Sequence, residues 1–321
     1  MKDRERTSVA HRPVMLTEVI DALAIKADGC YVDATFGRGG HASAMLERIG
    51  PAGRLLVIDK DPAAIAHAEQ TMASDARVSI RHGSFAECER VGKELAMMGK
   101  VDGLLLDLGV SSPQLDEVQR GFSFRTDGPL DMRMDTTQGQ TAAEWIACVK
   151  EEDLANVIFQ FGEEKFSRRI ARAVVAARAE QPIVTTGQLA ALVAAAVPTR
   201  ERGKDPATRT FQAIRMYINN ELGDLQVGLL GALRLLAPAG RLVVLSFHSL
   251  EDRLVKHFIR DQERGPQLPK GLPVRHEVQH GVLRHIGKAQ KAGPDEVAIN
   301  VRARSAMLRV AERTATPLGE I

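Results

Sequence analysis

Several things are scarce in this 321-residue chain, and each scarcity excludes a class of protein. There are only three cysteines, Cys30, Cys88 and Cys148, with no CxxC spacing. That argues against a disulfide scaffold or a zinc site and for a reducing compartment. No apolar run is long enough to span a bilayer; the longest, Leu189 to Val197, is short and alanine-rich. The first residues, MKDRERTSVAHRP, have no apolar core of the kind a signal peptide needs. Net charge is nearly absent too, at +2, but it is unevenly spread. Arg253 to Arg313 holds 13 Lys and Arg against 6 Asp and Glu, on an otherwise slightly acidic body. A basic C-terminal fifth suits an anionic partner or, equally, a solvated basic face. What remains is an ordinary globular composition, 44% apolar and 26% charged, with length for a large core.

The stretch Tyr31 to His41, YVDATFGRGGH, organises the rest. It reads as a buried strand ending near Asp33, a turn carrying Gly37, Gly39 and Gly40, and a helix from His41 to Ile49. Glycine allows positive φ and close approach of a ligand. The next strand, RLLVIDKD, ends in Asp59, about where an acid binds a ribose hydroxyl in nucleotide-binding βαβ units. The glycine spacing is not that of a dinucleotide site, and a turn that only packs strand on helix is the alternative. Asp33 would repel a pyrophosphate yet suits an ammonium group. A ligand with a cationic amino acid at one end and a nucleoside at the other satisfies both acids. S-adenosylmethionine is such a ligand.

Strands and helices then alternate. A helix over Leu16 to Ile25, with Thr17 as a cap, precedes the first strand. Asp61 and Pro62 start a helix as N-cap and first residue. A strand over Arg77 to His82 leads to Ser84-Phe85 and a helix over Ala86 to Met98. VDGLLLDLG is a continuous apolar strand of the sort buried on both faces. The pattern predicts right-handed crossovers and a doubly wound parallel α/β sheet. From Ser111 to Gln140 the chain is loop-like, but Phe122 and Phe124 argue against disorder. Helical patterns follow over 142–149, 151–161, 166–179, 186–197 and 208–236, so an all-helical insertion is expected over residues 115–215. A fifth strand, RLVVLSF, resumes the sheet, with a helix after it to Glu263. Residues 264–296 show little periodicity, and Val297 to Ala311 reads as a last strand pair or edge.

In such a sheet, ligands sit beyond the carboxyl ends of the strands. Asp33, Asp59, Phe85, Asp107 and His248 all fall there. Phe85 suits stacking on an adenine, and Asp107 suits a donor on cofactor or substrate. DLGVSSPQ, Asp107 to Gln114, occupies the position where amine-modifying methyltransferases carry a polar turn. An exocyclic amine is a poor nucleophile because its lone pair is delocalised into the ring. Acceptors from Asp107 and the Ser111-Ser112-Pro113 turn would hold its hydrogens and favour a pyramidal nitrogen, so positioning supplies most of the effect and no metal is required. An ordinary turn is the other reading. His248 is a candidate base or nucleic-acid contact, or a hydrogen-bonded structural group. Arg209, Arg215, Arg302 and Arg304 suit phosphates or ion pairs.

These residues resemble one bacterial family, the MraW (RsmH) S-adenosylmethionine-dependent enzymes, which methylate N(4) of a cytidine in the decoding region of small-subunit ribosomal RNA. The matching stretches include HRPVML at 11–16, DATFGRGGH at 33–41, LLLDLGVSSPQLD at 104–116, RGFSFRTDGPLDMRMD at 120–135, PATRTFQAIR at 206–215 and SFHSLEDR at 246–253. The resemblance implies a Rossmann-like class I methyltransferase domain from residues 1–114 and 216–321, with 115–215 as a substrate-recognising insertion. It implies cofactor contacts at Gly39, Gly40, His41, Asp59, Phe85, Asp107 and Gln114. The residues' own chemistry adds Asp33 and Gly37. The expected partner is small-subunit ribosomal RNA within the subunit, in the cytoplasm, away from membranes, with a homodimer left open. One departure stands out: Asn300-Val301-Arg302-Ala303-Arg304 replaces the family's Asn-Pro-Arg-Ala-Arg. A methyltransferase for a small molecule or protein, and a non-catalytic RNA-binding protein, are the rival classes.

Overall fold

The structure is a computed structural model that describes residues 13–198, 205–265 and 281–318. The expectations for residues 1–12, including the first part of HRPVML, and for 266–280 lie outside the described residues.

Five parallel strands form the centre: β1 (Cys30–Asp33), β2 (Arg54–Asp59), β3 (Val78–His82), β4 (Val101–Asp107) and β5 (Leu236–Ser246). Three more, β6 (Leu283–His285), β7 (Gln290–Lys291) and β8 (Met307–Arg313), complete the sheet. The order is β3-β2-β1-β4-β5-β8-β6, with β8 antiparallel to β5, and β7 paired to β8. Helices α1 (Leu16–Leu23), α2 (Gly40–Leu46), α3 (Pro62–Met72) and α4 (Cys88–Glu94) alternate with the first strands. The expected doubly wound sheet is therefore present, and each face has its own apolar core. One core gathers Val32, Leu56, Leu104, Leu106 and Leu229; the other gathers Tyr31, Leu55, Val57, Leu105 and Val243. Successive residues of each strand point to opposite faces, so continuous apolar runs bury both.

After β4 come the short α5 (Ser112–Asp116) and then five helices: α6 (Ala142–Cys148), α7 (Glu151–Gly162), α8 (Ser167–Glu180), α9 (Thr186–Ala196) and α10 (Thr208–Ile218). They enclose a third core, which includes Leu130, Trp145, Ile158, Ile170, Val193 and Phe211. Helices α11 (Glu221–Leu235) and α12 (Ser249–Arg264) return to the sheet, and α13 (Pro294–Ile299) precedes β8. Among the described residues, no helix is long and apolar enough to cross a membrane.

Local readings changed in four places. The helix expected over 208–236 breaks between α10 and α11, where Asn220 takes φ 51°; asparagine tolerates this left-handed geometry better than most residues. Pro238-Ala239-Gly240 lies inside β5, at a register shift, rather than in a turn before it. Of Val297 to Ala311, the stretch from Met307 is strand as expected, in β8, and the part before it is not. Pro294, with Asp295 and Glu296 in the first turn, starts α13 instead. Finally, α1 has no side-chain cap; Met15 at its start is left-handed.

Candidate active site

The strand order reverses direction between β1 and β4, which opens a crevice at their carboxyl ends. A cavity of about 800 Å³ lies there, the size that holds a drug-sized ligand with room beyond it.

Its floor is the glycine turn. The amide of Phe36 donates to the Ile58 carbonyl (3.1 Å), carrying the chain beyond β1 alongside β2. Gly37 takes φ 56° and its amide donates to Asp59 Oδ2 at 2.7 Å. A side chain there would project into open space, with only Ser111 near, at 3.8 Å. The other two glycines serve packing. A Cβ on Gly39, at φ 74°, would lie 2.5 Å from the Phe36 ring, and one on Gly40 would lie 2.1 Å from Pro13. Gly37 and Gly40 line the cavity, and Gly39 does not.

Asp59 also accepts the Asp61 amide at 2.8 Å. Asp61 caps α3 as expected, accepting from Ala63. Its other oxygen accepts from Gln114 Nε2 and Arg120 Nη1, both at 2.8 Å. Gln114 returns its own oxygen to the Ser111 amide at 2.9 Å. The Ser111-Ser112-Pro113 segment opens α5, where Ser111 and Gln114 form a capping box. Phe85 lines the opposite side and packs on Gly228, where a Cβ would come within 2.6 Å of its ring.

Asp107 ends β4 at the cavity wall. Its Oδ1 is buried with no hydrogen-bond partner among the described residues. Its Oδ2 lies 3.6 Å from His41 Nδ1, too far for a hydrogen bond. The His41 Nε2 faces the Val14 carbonyl at 3.1 Å, and burial lowers this histidine to about 4. It is therefore neutral, with Nε2 as donor and Nδ1 as acceptor. Asp33 is 1% exposed and does not reach the cavity; it accepts the Thr35 amide at 3.1 Å beneath the floor.

After the neighbouring strand β5, close enough to act on the charge of Asp107, Glu251 is 2% exposed. Its Oε1 sits 2.9 Å from His248 Nε2, and its Oε2 accepts the Phe247 amide at 3.0 Å. His248 caps α12, accepting the Glu251 amide through Nδ1. Burial pushes Glu251 up, but His248, Arg215 and the Phe247 amide outweigh it and hold the carboxyl below its usual range. Glu221, His248 and Glu251 bring donor atoms within 4.8 Å of one another. Arg215, however, binds Glu221 with two bonds of 2.7 Å, so a protein cation already serves this cluster.

Of the arginines expected at phosphates, Arg215 is half-buried at the cavity wall and held in that pair. Arg209 lies 3.6 Å from Glu164, and Arg302 bonds Asp116 at 2.7 Å. Arg304 is exposed on the rim. Sequence reading missed Lys60, Asp224 and Arg120. Lys60 Nζ bonds Asp224 at 2.9 Å and the Asn219 carbonyl at 2.7 Å, tying β2 to the α10–α11 junction. The adjacent Asp59-Lys60-Asp61 charges were the available signal.

The floor carboxylates are held above the ordinary range: Asp33 at about 7, Asp59 at about 6 and Asp107 at about 8. Burial is the main cause in each. Asp59 adds to Asp33, while Asp33 and Glu251 add to Asp107. Their folded values exceed the unfolded value near ~4. The stability they confer as neutral groups is thus present below that value and lost as pH rises through the folded values. Without cofactor, the protein is expected to melt at a lower temperature at pH 8.5 than at pH 6.5 (a test window chosen around the folded values, roughly two units wide). Asp107→Asn should narrow the gap, and equal midpoints for the wild type would contradict these assignments.

The donor set suits S-adenosylmethionine: an open glycine turn, an acid after β2, an aromatic ring on Phe85, and anionic groups for a cationic centre. Fold and site together define an S-adenosylmethionine-dependent methyltransferase. The sequence model of the MraW methylase family matches residues 8–314. The chain is 57% identical over 309 residues to the ribosomal RNA small subunit methyltransferase H of Pseudoalteromonas atlantica, covering 96% of this chain and 99% of that protein. It is 56% identical to the protein of that name from Neisseria meningitidis serogroup B, covering 98% and 95%. The chain belongs to the MraW methylase family.

Proposed function

We propose that this enzyme transfers a methyl group from S-adenosylmethionine to the exocyclic N(4) amine of a cytidine in the decoding region of small-subunit ribosomal RNA. The observation that carries the reading is the buried Asp107 oxygen with no hydrogen-bond partner among the described residues, in a cavity that Ser111, Ser112 and Pro113 also line and that has room beyond a cofactor. The names of the relatives support RNA as the substrate. When bound, the cofactor supplies an electrophilic methyl on its sulfonium. Gly37, Asp59, Phe85 and Gln114 hold it. Ionised Asp107 accepts a hydrogen of the amine, orients the nitrogen lone pair and takes up positive charge as the bond forms. His41, neutral and 3.6 Å from Asp107, places no cation or hydrogen-bond donor on the carboxylate and leaves it free for the amine. His248, held beside Glu251, lines the same cavity.

The target base must leave its stack to enter the cavity. In this reading residues 115–215 form the substrate-recognising unit on a domain built from 1–114 and 216–321. The reaction takes place on the small ribosomal subunit in the cytoplasm, and light scattering decides whether the enzyme acts as a homodimer. The test is methyl transfer from labelled S-adenosylmethionine to small subunits purified from cells lacking the enzyme, followed by nucleoside mass analysis. Labelled N(4)-methylcytidine is expected. Label on another base overturns the amine assignment; no label in RNA, with cofactor still bound, points to a small-molecule or protein substrate.

A further inference from the structure

We propose that Ile299 and Val301 form an apolar wedge that enters the base stack of the substrate RNA and holds the gap left by the extruded base. The inference rests on the RNA reading above.

Single exposed apolar side chains are ordinary. These two differ in extent and place. Ile299 is 80% exposed and Val301 68%, more than any other large apolar side chain among the described residues. They stand two residues apart, and Val301 lines the rim of the active-site cavity with Arg302 and Arg304.

The segment that presents them is anchored from behind. Glu296 Oε1 accepts the Met15 amide at 2.6 Å, and Val297 packs against the core on that face of the sheet. Asn300 caps the following 3-10 turn by accepting the Arg302 amide at 3.2 Å, and Ala303 and Ala306 are buried. Inward-facing residues thus flank two outward-facing apolar ones on a fixed support. Collapse of the wedge into the protein would break these anchors, and among the described residues nothing covers the apolar pair.

Charge complementarity identifies that partner. Arg304 is exposed and has no carboxylate partner among the described residues. Arg302 reaches Asp116 on α5 across the cavity mouth. The Arg304 cation beside an apolar pair, at the mouth of a pocket that takes one base, matches a strand whose phosphate meets the arginine while its neighbouring bases meet Ile299 and Val301. Proteins that unstack nucleic acid insert aliphatic side chains between base steps in this way.

The test uses the full-length enzyme and unmethylated small subunits. Ile299→Ser with Val301→Ser is expected to lower kcat at saturating subunits about tenfold or more, since unstacking a base step costs a few kcal/mol. Calorimetric affinity for S-adenosylmethionine and the melting temperature should not change. Ile299→Leu with Val301→Leu should retain most of the wild-type kcat. An unchanged kcat in the serine variant overturns the wedge. A raised KM with kcat intact also overturns it, and marks the surface as a docking contact for ribosomal protein. A wild type that methylates no subunit RNA would instead overturn the RNA reading, and the wedge with it.

Discussion

Asp107→Asn is expected to reduce methyl transfer roughly a thousandfold, the scale of losing a positioned proton acceptor that also stabilises charge. The side chain keeps its size and place at the end of β4. It loses the ability to carry a negative charge at the oxygen that no described residue satisfies. Burial, with Asp33 and Glu251 nearby, raises the carboxyl to about 8. In the free enzyme the ionised form is therefore the minor one at neutral pH. Wild-type kcat/KM should rise with pH and level off above about 8. A bound sulfonium favours the anion, so the limb in kcat should lie at lower pH. The Asn variant should show neither limb. It should also melt at higher temperature than wild type at pH 8.5, because it removes a buried charge. Lost activity with gained stability separates this role from a structural one. A variant that keeps its activity, or a flat wild-type profile, would remove Asp107 from the chemistry.

Much of this site was legible in the sequence because it hangs on local rules. A buried parallel strand needs a continuous apolar run, and RLLVID and VDGLLLD are such runs with an acid at the carboxyl end. The backbone reversal after β1 needs positive φ, and glycines stand at 37 and 39. Asp61-Pro62 announces its helix. Local rules failed where partners are distant in the chain. Nothing near Asp33 shows that its carboxyl is sealed beneath the floor. Gln114 reads as a cofactor contact by resemblance, but its amide also bridges Asp61 and Ser111. Arg215 reads as a phosphate cation, yet Glu221, six residues on, takes it once the chain bends at Asn220. The apolar residues from Val297 to Val301 suggested a strand like the one that does follow in β8, because periodicity alone cannot tell a short helical segment with outward apolar residues from an edge strand.

The loop between α5 and α6 shows the same limit, and it yields the second large effect. Arg120→Ala is expected to destabilise the protein by roughly 3–5 kcal/mol, as breaking a buried ion pair does. The Arg120 side chain is 11% exposed and its Asp61 partner 6%. One nitrogen binds Asp61; another binds the carbonyls of Arg133 and Met134 at 3.1 and 2.9 Å. The guanidinium lies 5.8 Å from the centre of the Phe122 ring. One side chain thus ties both ends of a long irregular segment to the N-terminus of α3. Alanine would leave two carbonyls and part of a buried carboxylate without donors, and water would enter beside the cofactor floor. The urea midpoint should fall, and protease cleavage between 121 and 141 should quicken. Arg120→Lys should fall in between, because an ammonium keeps the charge and loses the planar fork. The exposed Arg90, paired with Glu87 and Glu94 on the surface, is the contrast; its alanine variant should leave the urea midpoint nearly unchanged. If Arg120→Ala and Arg90→Ala unfold at the same urea concentration, the loop is held by its apolar contacts. The order of the cavity wall would then come from Phe122, Leu130 and Met132 rather than from the buried pair.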